Sequence, residues 1–267
     1  MASLALQSAS TALTALNTRL DVTANNLANI NTAGFKASRV NFQDLLYIER
    51  AQPGVENAAG DQRPTGLYVG LGVQSSGTQV SFTQGSHIAT DEPLDVMIQG
   101  AGFFQVAVDE APGGVAYTRA GNFTLNSDGE IVLASDQGRR LEPSLTVPTD
   151  AEKIEIDATG RVFVRLQGQQ QPQEIGQLEI AAFVNPAGLT QEGENLYFES
   201  AASGPPITGQ PGTESRGSLL QGFLEASNVD PTRELIELIR TQRAFEFNSQ
   251  TIRTADETLR AVAQLRQ

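Results

Sequence analysis

Asp91, Glu92 and Asp95 form the densest carboxylate group in the middle of the chain. Two carboxylates at the right separation can serve as acid and nucleophile on a glycosidic bond, but spacing along a chain does not fix that separation. The same residues read as a solvated turn ahead of a strand over 94–98. His87 is the sole histidine and cysteine is absent, so there is no thiol nucleophile, no disulfide and no Cys/His set for a metal. A lone histidine reads as a packing or surface residue rather than a base. Gly100-Ala101-Gly102 lacks the third glycine and the following helix of a dinucleotide loop. Asn122-Phe123-Thr124 matches the glycosylation triplet, a pattern short enough to recur by chance. Glu194-Asn195-Leu196-Tyr197-Phe198-Glu199-Ser200 is close to an engineered protease tag, yet Glu199 stands where the tag needs Gln and the segment is internal, so it reads as native. The expectation is a protein that is not an enzyme, with no catalytic residues, no cofactor and no metal.

Composition narrows the partners. Eighteen basic against 31 acidic residues give the 267-residue chain a net charge of −13, which argues against a nucleic-acid partner. No apolar run approaches the roughly 18–20 residues of a membrane span, so no membrane insertion is expected. Glycine is confined to the stretch between Gly34 and Gly222, and proline to that between Pro53 and Pro231. The two ends are therefore free of helix breakers, apart from a proline that suits a first helical turn. The acidity belongs to the middle, because residues 1–30 carry only Arg19 and Asp21, and residues 231–267 carry six Arg against five acids.

The ends read as long helices. Leu6, Ala9, Leu13, Leu16, Leu20, Thr23, Leu27 and Ile30 recur at alternating spacings of three and four, the seam of an amphipathic or coiled-coil helix. Its flanks are Ser, Thr, Asn, Gln and Ala, which suit close packing against neighbouring helices. Gly34 is the expected left-handed stop. At the other end, Asn228 or Asp230 can cap, Pro231 fits the first turn and Glu234 favours the positive end of the dipole. Leu238, Phe245, Ile252 and Leu259 then fall seven apart, with Thr241, Asn248, Ala255 and Val262 on the adjoining seam and Leu235, Ile239 and Leu265 widening the face. At about 1.5 Å per residue each end makes a rod of roughly 45–55 Å. Two readings stay open. One is a helical hairpin packed on its own β domain; the other is a pair of helices whose apolar faces seek further copies of the chain.

Between the ends the pattern changes to short β-type runs, from about Val69 to Leu220. Asn126-Ser127-Asp128-Gly129 and Asp157-Ala158-Thr159-Gly160 separate apolar alternations and predict hairpins. The predicted fold class is α+β. Long N- and C-terminal helices pair as a coiled-coil-like domain over 1–34 plus 222–267, an extended stretch covers 35–75, and an antiparallel sandwich or barrel-like β domain covers 76–221.

The residues carry a family resemblance. Ala24-Asn25-Asn26-Leu27-Ala28-Asn29-Ile30-Asn31-Thr32-Ala33-Gly34-Phe35-Lys36 resembles the N-terminal signature of the rod and hook axial proteins of the bacterial flagellum. Residues 93–106, Tyr117-Thr118-Arg119-Ala120-Gly121-Asn122-Phe123, Gln221-Gly222-Phe223-Leu224-Glu225-Ala226-Ser227-Asn228-Val229-Asp230 and 241–248 are similar to other parts of the same family. Phe42-Gln43-Asp44-Leu45-Leu46-Tyr47, Gln52-Pro53-Gly54 and 194–200 are most like its distal-rod branch; the proximal rod or a short hook-type protein is the alternative.

The resemblance implies a structural subunit of the distal rod that assembles helically with itself into a hollow drive shaft, transmitting torque and letting export substrates through. The implied partners are further copies, adjacent rod and hook-end axial proteins, the surrounding ring proteins and the flagellar type III export apparatus. The implied location is the basal body, in the part of the rod spanning the periplasm, reached without a cleavable signal peptide; the absence of cysteine agrees with that compartment. The expected assembly residues are Leu13, Leu16, Leu20, Asn25, Asn26, Leu27, Asn29, Leu238, Phe245, Ile252, Leu259 and Val262. The rival from another class is a carbohydrate-binding module or enzyme of β architecture, dimerised by its helices.

Overall fold

The computed structural model describes residues 2–55, 62, 64–109, 111–168, 171–214 and 216–264. Leu265 and the side chain of Val262 lie outside the described part. The breaker-free ends form helices α1 (Ala2–Ala28) and α2 (Pro231–Gln264). Asp230 is the residue that caps α2, its Oδ1 accepting from the backbone N–H of Thr232 at 2.9 Å and of Arg233 at 3.2 Å. Pro231 opens the helix and Glu234 stands in its first turn. Asn228, the other candidate cap, is used elsewhere: its Oδ1 accepts from Ala37 N–H at 2.7 Å and its amide donates to Ser81 O at 2.7 Å.

The middle is β, and its described strand pairings are antiparallel. The chain divides into two compact units. The first comprises Met1–Ala28, Ser38–Gln79 and Asp230–Gln267; the second comprises Asn29–Ala37 and Val80–Val229.

In the first unit α1 and α2 pack along each other, joined by two strand pairs, Ser38–Asp44 with Val73–Val80 and Tyr47–Ala51 with Leu67–Gly70. The segment read as merely extended thus holds short hairpin-like pairs. Their alternation is too polar and too brief to stand out in the sequence.

The second unit holds a seven-stranded sheet ordered Thr190–Gly193, Leu196–Phe198, Val115–Thr118, Phe103–Ala107, Ile180–Ala182 and Ile207–Gly209, with Leu141–Glu142 also pairing Phe103–Ala107. Ala151–Ile156, Arg161–Leu166 and Gln173–Gln177 form a separate three-stranded sheet. Both predicted turns close hairpins. Ile131 pairs with Leu125 across Asn126–Gly129, where Asn126 Oδ1 accepts from Asp128 and Glu130 N–H, and Ile156 pairs with Val162 across Asp157–Gly160.

The core belongs to the second unit. One cluster gathers Val96, Ile98, Phe104, Val106, Val162 and Ile180, and another stacks Phe103, Tyr117, Phe183 and Tyr197 edge to face with Phe82. Tyr117 and Tyr197 are 4% exposed. Burial pushes both phenols up to about 12. Because an unfolded tyrosine ionises near 10, the stabilisation from these two rings is intact below pH 10 and is lost between pH 10 and about 12, about 2–3 kcal/mol each. In a spectrophotometric titration the exposed Tyr47 and Tyr68 are expected to ionise first, with the other two following only as the chain unfolds; four tyrosines titrating together near pH 10 would contradict the burial.

Candidate functional site

The first unit has little core of its own. Among the described residues its buried apolar side chains are Ala9 and Ala15, accompanied by Thr23, Asn26 and Thr241. The stripe leucines Leu6, Leu13, Leu16, Leu20 and Leu27 are only half-buried, and so are Leu238, Phe245 and Ile252 on α2. Small residues sit at the closest approach, so the helices come near each other while the leucines flank the seam with part of their surface open. Higher-numbered residues of α1 meet lower-numbered residues of α2: Arg19 pairs with Glu237, and Asn26 hydrogen-bonds Glu234. The two helices therefore run antiparallel.

On its other side α2 presents Leu235, Ile236, Ile239 and Phe247, the last 71% exposed. By helical rotation these lie opposite the half-buried face that carries Leu238, Thr241, Phe245, Asn248 and Ile252. Leu259 is exposed as well, because α2 has 34 residues against 27 in α1 and its last turns run past the partner helix. Val262 follows in α2, its side chain outside the described part.

The predicted asparagines separate. Asn26 is buried and brackets Ser38, accepting from its N–H at 2.9 Å and donating to its O at 2.8 Å. Asn25 is exposed at the same helix end. Asn29 belongs to the second unit, where its Oδ1 accepts from Thr32 Oγ1 at 3.2 Å. Beside Asn26 a cavity of about 150 Å³ is lined by Arg19, Arg39, Phe42, Glu234 and Glu237. Burial raises the Glu234 carboxyl above its ordinary range, with the Asn26 hydrogen bond pulling the other way.

A second constellation escaped the sequence reading. Lys36 is wholly buried, and its Nζ donates to Glu225 Oε1 at 2.6 Å and to Thr83 O at 2.8 Å. The same Oε1 accepts from Gly85 N–H at 2.9 Å. Arg119, 5% exposed, faces Glu225 Oε2 across 3.4 Å, donates to Gly100 O at 2.8 Å and lies 5.2 Å from the centre of the Phe103 ring. Burial lowers the Lys36 pKa despite the pull of Glu225. Lys36, Arg119 and Glu225 come from three different signature stretches, so the cluster ties together parts of the chain far apart in sequence. The available signal was a charge set among small and apolar neighbours in each stretch.

Gly34 is corrected by the same geometry. Helix α1 stops at Ala28, six residues earlier, so Gly34 is not its stop signal. Glycine is required there both by its φ of +73° and because a Cβ would lie 2.6 Å from the backbone of Arg119 and Ala120; its N–H donates to Glu225 O at 2.8 Å.

The chemical candidates take unremarkable places. Asp91 and Glu92 border an open cleft of about 630 Å³ shared with Lys153, Glu155, Asp157 and Phe163, whereas Asp95 bridges Asn122 in backbone pairing. His87 is exposed on the strand His87–Ala89. The Asn122 amide donates to Ala134 O at 3.3 Å. Leu196 and Tyr197, within the tag-like segment, are buried in the seven-stranded sheet. No helix among the described residues is long and apolar enough to cross a membrane.

Known proteins with the same pattern are flagellar. Residues 6–36 match the flagella basal body rod protein family, 97–164 the D1 domain of flagellar hook proteins FlgE/F/G, and 220–265 the C-terminal region of basal body rod FlgEFG proteins. The chain is 45% identical to the flagellar basal-body rod protein FlgG of Caulobacter vibrioides, covering 98% of this chain and 99% of that one. It is 43% identical to FlgG of Buchnera aphidicola over 96% of each. Against the rod protein FlgF of Caulobacter vibrioides the identity is 33%, over 86% of this chain and 84% of that one.

Proposed function

The chain belongs to the flagellar basal-body rod protein family, and from that premise we propose how its parts serve a rod. It is a structural subunit of the flagellar basal body, of the distal-rod kind, since its likeness to FlgG exceeds that to FlgF from the same organism. The observation that carries the mechanism is the thin core of the helix pair: two alanines buried, the leucines half-open and a row of exposed apolar residues on the far side of α2. Such a pair buries too little on its own and gains by packing against equivalent pairs from other copies.

Each copy adds by a heterologous contact, so identical patches do not close on themselves and the array grows as an open helix. In this reading residues 1–34 and 222–267 line the inner tube, the 43–66 segment within the extended stretch 35–75 adds contacts between subunits, and 76–221 forms the outer layer. Leu13, Leu16, Leu20, Leu27, Leu238, Phe245, Ile252, Leu259 and Val262 fill the tube wall, and Asn25, Asn26 and Asn29 fix register between copies by hydrogen bonding. The exposed Tyr47, Leu67 and Tyr68 on the short strands, with Leu46 just before Tyr47, give the middle stretch apolar surface for a neighbour. Torque passes through many small contacts, and the tube lets exported chains through. Neighbouring axial proteins, the surrounding rings and the type III export apparatus complete the partners. No catalytic step enters this reading.

The test is the dispersed subunit itself. Raising its concentration is expected to give hollow rods visible by electron microscopy, with the amides of α1 and α2 gaining hydrogen-exchange protection. Catalytic turnover of a glycan, with no rods at any concentration, would favour the rival.

A further inference from the structure

The Lys36–Glu225–Arg119 cluster is unbalanced: two cations share one carboxylate, and no other acid among the described residues bonds to either of them. A surplus buried charge is costly unless a counter-ion reaches it. Arg119 Nε is buried and has no hydrogen-bond partner, although the same guanidinium satisfies its other nitrogens with Glu225 and Gly100. Arg119 also lines a cavity of about 220 Å³ whose other walls include Phe82, Phe103, Phe183, Pro186 and the exposed Ala101. Aromatic walls around one under-partnered guanidinium make a receptor for an anion carried on an apolar stem.

We infer that this cavity is a binding site for a carboxylate, and that its occupant in the polymer is an aspartate or glutamate side chain of a neighbouring copy. The second clause rests on the self-assembly reading above. Charge supports it: the chain carries 31 acids against 18 bases, so an array of copies surrounds each cavity with carboxylates. Entry of one would balance the buried surplus and give the arginine a further acceptor, without any change in covalent structure.

The test begins with the full-length, dispersed subunit, whose Arg119 Nε–H signal is assigned by its loss in Arg119→Lys. Phenylacetate is expected to move that signal saturably, with 2-phenylethanol binding at least about tenfold more weakly, as a lost charge-assisted hydrogen bond implies. Ala101→Glu, which supplies a carboxylate at the rim, is expected to shift the signal unaided and to block phenylacetate. No shift with tens of millimolar phenylacetate, or an equal response to the alcohol, overturns the carboxylate site. The second arm uses assembled rods. Loss of phenylacetate binding on assembly supports the neighbour's side chain, and rods that bind it as well as free subunits do overturn that occupant. A failure to form rods at all strikes the assembly reading instead, leaving the first arm to stand or fall separately.

Discussion

Glu225→Ala is expected to lower the unfolding free energy by about 3–5 kcal/mol, because it leaves Lys36 and Arg119 as buried cations with no counter-charge. Gly85 N–H loses its acceptor at the same stroke. For a unit of this size the change corresponds to a fall in Tm of roughly 10–15 °C. Solvated substitutes are not at hand, since both the lysine and the glutamate side chains are 1% exposed or less. The combined variant Lys36→Met, Arg119→Leu, Glu225→Leu separates charge from packing: it removes all three ions together, and it is expected to recover much of the loss. Urea denaturation of the single and triple variants decides the matter. A single variant within 1 kcal/mol of the parent would mean that water or neighbouring groups compensate the cations, and the clamp would not be what joins the three signature stretches.

Leu20→Asp and Ile252→Asp are expected to abolish rod formation while leaving the second unit folded. Both side chains are half-buried on the helix pair, where a carboxylate loses part of its hydration. The loss of an apolar contact of about 2–3 kcal/mol, repeated at every subunit, raises the concentration needed for assembly by at least about thirtyfold. Phe247→Asp separates assembly from folding. At 71% exposure this ring contributes little to the single chain, so its replacement should leave the thermal midpoint unchanged and still hinder assembly. Sedimentation and electron microscopy read the outcome. Normal rods from all three variants would remove the helix faces from the contact between copies.

Burial explains how the two results differ. Damage to the charge cluster acts within one chain, on a unit with a dry core of Val96, Phe104, Val162 and Ile180. On the proposed assembly, damage to the helices would act between chains, because the helix pair has almost no core to lose. On the same proposal, the second unit would persist as a single copy and the first would be completed by others.

The sequence by itself determined the helices, the hairpins and the family. Residues 1–33 and 232–267 lack glycine and proline and repeat their apolar residues at helical spacing, and such local rules act within a few turns of chain. Asp230 and Pro231 mark the start of α2 for the same reason, and Asn126–Gly129 marks its turn. Tertiary structure alone decided that Asn228 ties Ala37 and Ser81 instead of capping α2, why Gly34 must be glycine, and that Lys36, Arg119 and Glu225 meet. Those facts depend on segments up to 191 residues apart being brought within hydrogen-bond reach, and a one-dimensional pattern carries no distances. The pairing of Ser38–Asp44 with Val73–Val80 was hidden likewise, because a short polar strand is specified by its neighbour rather than by its own alternation.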